Sequence, residues 1–386
     1  MSRASRVLIR TLPLSNGNYG GILQAYALQR VLADLGLSPA TDMTISKPLS
    51  PLARAVARAA VRIAPAWVFT TRATAELRDS VLTEETSRPL AGFVADHIVG
   101  VDLYRKRNVI DPDVLADHPS LVVGSDQVWR HRYGDVKSYL FDFVDDPDVR
   151  MISYAASFGH DHLQGYNRRL VRVTRALAQR FDAVSVRERA AVQLCHEHWD
   201  VAALEHVDPT MLLTREHYAA LASAGPATDL RPGCLTYLLD ESHRSRALVD
   251  TVCEQVGLTE TRLIRQPRTY AEWRAAPQRY LRPTVATWLK AFADANFVVT
   301  DSFHGTIFAV LNNKPFLTMS NANRGSSRFD SLLGTFGLER RLVAPEPNPV
   351  GRALDQDIDW RPVNELLAVK RAEGIAFLRD SLVHST

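Results

Sequence analysis

The sequence predicts an α/β protein of two domains, each built on a mainly parallel sheet. Three observations lead there. Short apolar strands alternate with helical patterns along the chain, as in βαβ units. A chain of 386 residues is too long for one ordinary core, so two domains and a cleft between them are expected. The strands end in polar loops, and ligands of a parallel sheet collect at the carboxyl ends of its strands.

Taken in order, Arg6–Leu12 reads as a strand, and Ala25, Leu28, Leu32 and Leu35 recur at helical spacing until Gly36 stops them. The linking loop, Ser15–Gly21, carries three glycines and two asparagines, so its N–H groups are expected to face a ligand at the positive end of the helix. Ser50-Pro51 opens a helix over 51–63, with Arg54, Arg58 and Arg62 striped opposite Leu52, Val56 and Ile63. Its plain reading is a solvated face; its sharper one is a basic helix resting on anionic lipid near a lipid-linked acceptor.

Leu121–Gly124 is a buried strand ending in Ser125-Asp126-Gln127, and Met151–Ala155 another, followed by Ser157 and Gly159. A helix from Arg169 to Phe181 leads to the strand Ala183–Arg187, which ends in Arg187-Glu188-Arg189. Val207-Asp208-Pro209-Thr210 and the stretch 224–232 read as the passage between domains. Cys234–Leu239, Leu263-Ile264, Phe297–Thr300 and Pro315–Leu317 are the strands of the second domain, with helices over Arg246–Val256 and Thr306–Leu311. Glu365–Leu382 closes the chain as a helix. The expected division is 1–205, 206–355 and a terminal helix in 356–386.

Composition narrows function. With 46% apolar and 23% charged residues, and no run near the eighteen or so that span a bilayer, a soluble globular protein is expected. Arg10 and Asn16-Gly17 break any secretory core in the first residues, and Cys195, Cys234 and Cys253 fit neither a disulfide framework nor a zinc site. A cytoplasmic location is expected, with the inner face of the membrane as its variant. A net charge of +3 is far from the excess a nucleic-acid binder needs.

The strongest local signal is His304, between a buried strand and a helix N-terminus, where anions bind and proton transfer is useful; Asp301, Ser302 and Thr306 share its loop. A structural histidine is the other reading. Arg187, at a strand end, suits a bidentate grip on carboxylate or phosphate, against an ion pair with Glu188 or Asp182. Arg328 has a similar claim. Ser125, Asp126 and Gln127 suit sugar hydroxyls and Trp129 a sugar ring, while Asp126 is equally read as a helix cap. Nothing marks Cys195 as an activated nucleophile. The phosphate-binding and dinucleotide glycine fingerprints are both missing.

Five blocks, NYGGILQAYALQ at Asn18–Gln29, VVGSDQVW at Val122–Trp129, SYAASFG at Ser153–Gly159, SVRE at Ser185–Glu188 and TDSFHGT at Thr300–Thr306, resemble the polysaccharide pyruvyl transferase family. The resemblance implies two Rossmann-like domains facing across a cleft, similar to the glycosyltransferase B architecture, with phosphoenolpyruvate held between them as co-substrate; no cofactor and no metal site is read from the residues, and divalent-ion dependence stays open. It implies that His304 and Arg187 hold phosphoenolpyruvate and assist transfer. Several relatives carry an arginine where this chain has Ser302. Either Arg328 or the Gly305 N–H replaces that contact, or the donor is bound differently; Ser302 and Thr306 are also expected on the donor side. Asn18, Gln24, Ser125, Asp126 and Gln127 are expected on the acceptor side, from loop position alone. The implied product is a pyruvate ketal on a sugar of a cell-surface polysaccharide or its lipid-linked precursor. The rivals are a glycosyltransferase using a nucleotide sugar and a non-catalytic sugar-binding partner.

Overall fold

A computed structural model describes residues 5–44, 56, 59–61, 72–106, 109–226, 230–267, 269–320, 325–346 and 350–383. The first sheet contains β1 (Arg6–Arg10), β2 (Ser38–Asp42), β3 (Gly100–Val101), β4 (Ser120–Val123), β5 (Arg150–Ala156), β6 (Ala183–Val186) and β7 (Leu204–Glu205), in the order β3-β2-β1-β4-β5-β6-β7. The second contains β8 (Cys234–Tyr237), β9 (Glu260–Arg262), β10 (Phe297–Thr300), β11 (Phe316–Met319) and β12 (Leu342–Val343), in the order β9-β8-β10-β11-β12. Every pairing within both sheets is parallel, as the alternation of strands and helices requires. Strands β4, β8, β10 and β11 are buried along their whole length, which is why they read as mainly apolar runs.

The helices that place the site are α1 (Tyr19–Asp34), α2 (Arg168–Ala178), α3 (Arg215–Ser223), α4 (His243–Gln255), α5 (Val285–Asp294), α6 (Phe303–Leu311), α7 (Ser327–Thr335) and α8 (Trp360–Leu382). α1 begins well before its apolar periodicity, because the Asn18 side chain caps it by accepting the Gly20 N–H. The second strand of the second domain falls on Glu260–Arg262 rather than Leu263-Ile264. There Glu260 takes a two-pronged contact from Arg246 of α4, at 2.8 and 2.8 Å, so polar residues suit this sheet edge. Of the 51–63 segment, residues 56 and 59–61 are helical; Arg54, Arg58 and Arg62 lie outside the described residues. Among the described residues no helix is long and apolar enough to cross a membrane.

The two sheets share packing. Tyr19, at the start of α1, stacks on Trp288 of α5 at 5.2 Å and donates its hydroxyl to the Pro283 carbonyl at 2.6 Å. α8 returns to the first sheet, where the Ser381 carbonyl accepts from Arg150 at 2.8 Å and the His206 ring lies 4.7 Å from Phe377. The passage between sheets is not bare linker. Asp208 caps a 3-10 turn at Pro209–Met211, and α3 then packs on α5.

Candidate active site

A parallel sheet opens a crevice where its strand order turns back, because the loops on either side diverge. In the first sheet this happens between β1 and β4, in the second between β8 and β10. The loops at those points face one another across a cleft of about 360 Å³: Leu12, Pro13, Asn18, Asp126 and Gln127 from one side, Leu239, Asp301, Ser302, Phe303 and His304 from the other. Asn18, which opens the first block, Asp126 and Gln127 of the second, and Asp301, Ser302, Phe303 and His304 of the last line this cleft. A cavity of about 580 Å³ beside Tyr26 lies instead at the amino ends of β1 and β2, near Arg6 and Ser38.

His304 stands in the first turn of α6, whose cap is Ser302; the Ser302 hydroxyl accepts the Gly305 N–H at 3.3 Å. Its Nε2 lies 3.4 Å from Asp208 Oδ2, within ion-pair range. The face of its ring packs on α1 so closely that a Cβ on Gly20 would stand 1.9 Å from Nδ1 and 2.2 Å from Cγ. Asp301 braces the floor by accepting the N–H groups of Leu239 and Asp240 at 2.6 and 2.9 Å.

Arg187 is brought to the site, yet it is turned away from the cleft. Its side chain is 1% exposed and is held by Asp208 at 2.8 Å and Asp126 at 3.3 Å. Neither sequence-near partner is used: Asp182 accepts from the Met151 N–H, and Glu188 from Ser157 and the Phe158 N–H. Arg187 lines a neighbouring cavity of about 350 Å³ with Asp208 and Phe303. Burial opposes its charge, but Asp208, Asp126 and Glu188 outweigh that and raise its pKa. Burial likewise opposes ionisation of Asp208; His304, then Arg187 and Thr210, hold its carboxyl well below the usual range. Glu188 is raised by its burial.

Arg328, in the first turn of α7, does line the cleft. Its guanidinium lies 5.4 Å from the Phe303 ring centre, and that of Arg187 lies 4.4 Å from the same ring. Burial, with Arg187 nearby, pushes the Arg328 pKa down to about 10.

Several expected contacts are structural instead. Gln24 is fully buried, donating to Thr11 and the Gly21 carbonyl and accepting the Ser125 N–H, so it fixes the loop after β4. Ser125 is also fully enclosed, its hydroxyl donating to Ala155 at 2.7 Å. Thr306 is spent on the Ser302 carbonyl and Thr318, and the Gly305 N–H on the helix cap. The Gly20 N–H is likewise taken by Asn18, which restricts what the glycine loop offers a ligand. Trp129 is no sugar platform: it is 1% exposed and packs on Trp199 and Phe158 at 5.0 and 5.3 Å. Gly124, at φ +122°, lets the β4 loop pass under Tyr154, whose carbonyl a Cβ would meet at 2.2 Å. The residue that sequence reasoning missed is Asp208. Its signal was Asp-Pro-Thr, a helix-start pattern read only as linker.

The sequence model of the polysaccharide pyruvyl transferase family matches residues 18–323. No curated protein matches the chain. Among solved structures, the chain is similar to MnaA of S. aureus in a co-structure with UDP, at 11% identity and a TM-score of 0.50, covering 98% of this chain and 97% of that one. It is also similar to UDP-GlcNAc 2-epimerase from Neisseria meningitidis bound to UDP-GlcNAc, at 10% identity and a TM-score of 0.50, covering 98% and 99%. At such identity these likenesses speak to the fold, two Rossmann-like domains of the glycosyltransferase B type. With a family model matching most of its length, the chain belongs to the polysaccharide pyruvyl transferase family.

Proposed function

We propose that this protein transfers the pyruvyl group of phosphoenolpyruvate to two hydroxyls of a sugar, forming a cyclic pyruvate ketal and releasing phosphate. The observation that carries the reading is the placement of His304 and Arg328 in one cleft at the N-termini of α6 and α7, where positive charge and an imidazole meet. Arg328 pairs with the carboxylate or phosphate of the donor, in place of the arginine that Ser302 replaces. Arg187 acts from behind, holding Asp126 and Asp208 in place.

In the first step C3 gains a proton from His304 as the first hydroxyl attacks C2, and that hydroxyl's proton returns to the imidazole. In the second, phosphate leaves C2 and the second hydroxyl takes its place, its proton departing with the phosphate. Asn18, Asp126 and Gln127 line the first-domain side and are assigned to the acceptor, a polysaccharide or its lipid-linked precursor. A neutral sugar thereby becomes an acid.

A second reading is a glycosyltransferase using a nucleotide sugar, since the fold is similar to proteins solved with UDP and UDP-GlcNAc. Thermal midpoints with phosphoenolpyruvate and with a panel of nucleotide sugars separate the two. Ligand at a hundred times its dissociation constant adds about 2.7 kcal/mol of stability. A rise with phosphoenolpyruvate alone, lost in Arg328→Ala, is expected; a rise only with a nucleotide sugar would replace pyruvyl transfer by the second reading.

A further inference from the structure

Three side chains far apart in sequence meet at one carboxylate oxygen. Oδ2 of Asp208 accepts from Arg187 Nη1 at 2.8 Å, faces Ser125 Oγ at 3.3 Å and lies 3.4 Å from His304 Nε2. Oδ1 is occupied elsewhere, accepting the N–H and hydroxyl of Thr210 at 3.0 and 2.7 Å. The carboxylate is therefore divided: one oxygen holds the turn that carries it, the other is directed at Arg187, Ser125 and His304. Its side chain is 0% exposed, so its charge is compensated by these partners and not by water.

The imidazole is held at one edge and on one face. Asp208 stands at Nε2, and the start of α1 lies over the ring face, where only a glycine fits. Asn18, two residues before that glycine, lines the cleft beside His304.

We propose that Asp208 is a positioning residue of the transfer, keeping the imidazole proton on Nε2 so that Nδ1 is the nitrogen exchanging protons with substrate. The assignment rests on the pyruvyl transfer proposed above. An ionised carboxylate at Nε2 also stabilises the imidazolium that gives its Nδ1 proton to C3 and recovers one from the sugar hydroxyl. Arg187 keeps Asp208 ionised and in place, which explains why a strongly buried arginine accompanies the histidine.

The test is Asp208→Asn, whose side-chain oxygen retains the Thr210 contacts while the amide replaces the acceptor facing His304. The expected result is a fall in kcat of about 100-fold, the scale of one proton-transfer catalyst, with little change in KM for phosphoenolpyruvate. An active wild type with unchanged kcat in the variant would overturn the assignment. A second measurement needs no variant of Asp208: in protein labelled with nitrogen-15 histidine, His304, assigned by its loss in His304→Gln, is expected as the Nε2–H tautomer. The Nδ1–H tautomer would overturn the proposal even if the variant failed to fold. Failure of the wild type to transfer pyruvyl would instead contradict the proposed reaction and leave the tautomer to be judged by its spectrum.

Discussion

Arg187 Nη1 stands 2.8 Å from Asp208 Oδ2, with the two side chains 1% and 0% exposed, tying the end of β6 to the segment that leaves the first domain. A buried pair of this kind costs most when halved, because the survivor keeps its charge without a partner. Arg187→Met is expected to lower stability by about 3–5 kcal/mol in chemical denaturation. Arg187→Lys, which keeps the charge and loses the fork, should fall between it and the wild type. A fully stable Arg187→Met protein would mean that the pair is not closed as described.

Gly20→Ala separates site geometry from stability. Alanine is the better helix former by about 1 kcal/mol. Yet its Cβ would sit 1.9 Å from His304 Nδ1 and 2.2 Å from Cγ, forcing the ring out of place. Activity should fall about 100-fold, the cost of an ångström of misplacement, while the denaturation midpoint moves little. Full activity would place the imidazole elsewhere.

His206 predicts an acid-sensitive clasp between α8 and the first sheet. Burial pushes its pKa down to about 4, between the Tyr154 and Phe377 rings and beside the Ser185 hydroxyl. The unfolded chain takes up the proton first, near pH 6.5, so the folded state loses stability as pH falls from about 6.5 to about 4. The loss in thermal midpoint over that window should be smaller in His206→Gln. Equal losses would show that His206 does not set the acid limb.

Trp129→Ala should destabilise by about 3–5 kcal/mol as a core truncation. The gain in midpoint on adding phosphoenolpyruvate should survive, since Trp129 packs on Trp199 and Phe158 and does not line the cleft. Selective loss of ligand response would restore a binding role.

These cases show what was legible in the chain. Periodicity exposed β1, β4, β5, β6, β8 and β10, because parallel strands buried on both faces are mainly apolar runs. Loops after those strands announced the cleft, and His304 with it. Direction was not legible: Trp129, Gln24 and Ser125 follow the right strand but point into the protein, and nothing in residue type distinguishes the two outcomes. Nor was pairing. Arg187 has acidic neighbours in sequence, yet its partners are Asp126 and Asp208, 61 and 21 residues away. Asp208 itself was hidden because a turn-forming Asp-Pro pair reads as a connection, and only the fold shows that the turn ends under His304.

The most direct test is to incubate the purified protein with phosphoenolpyruvate and a panel of glycans and lipid-linked sugars, following phosphate release together with the mass of the acceptor. Phosphate released in step with one pyruvyl ketal per acceptor, abolished in His304→Ala, is the predicted result. Transfer of a sugar from a nucleotide donor, with phosphoenolpyruvate left intact, would contradict it.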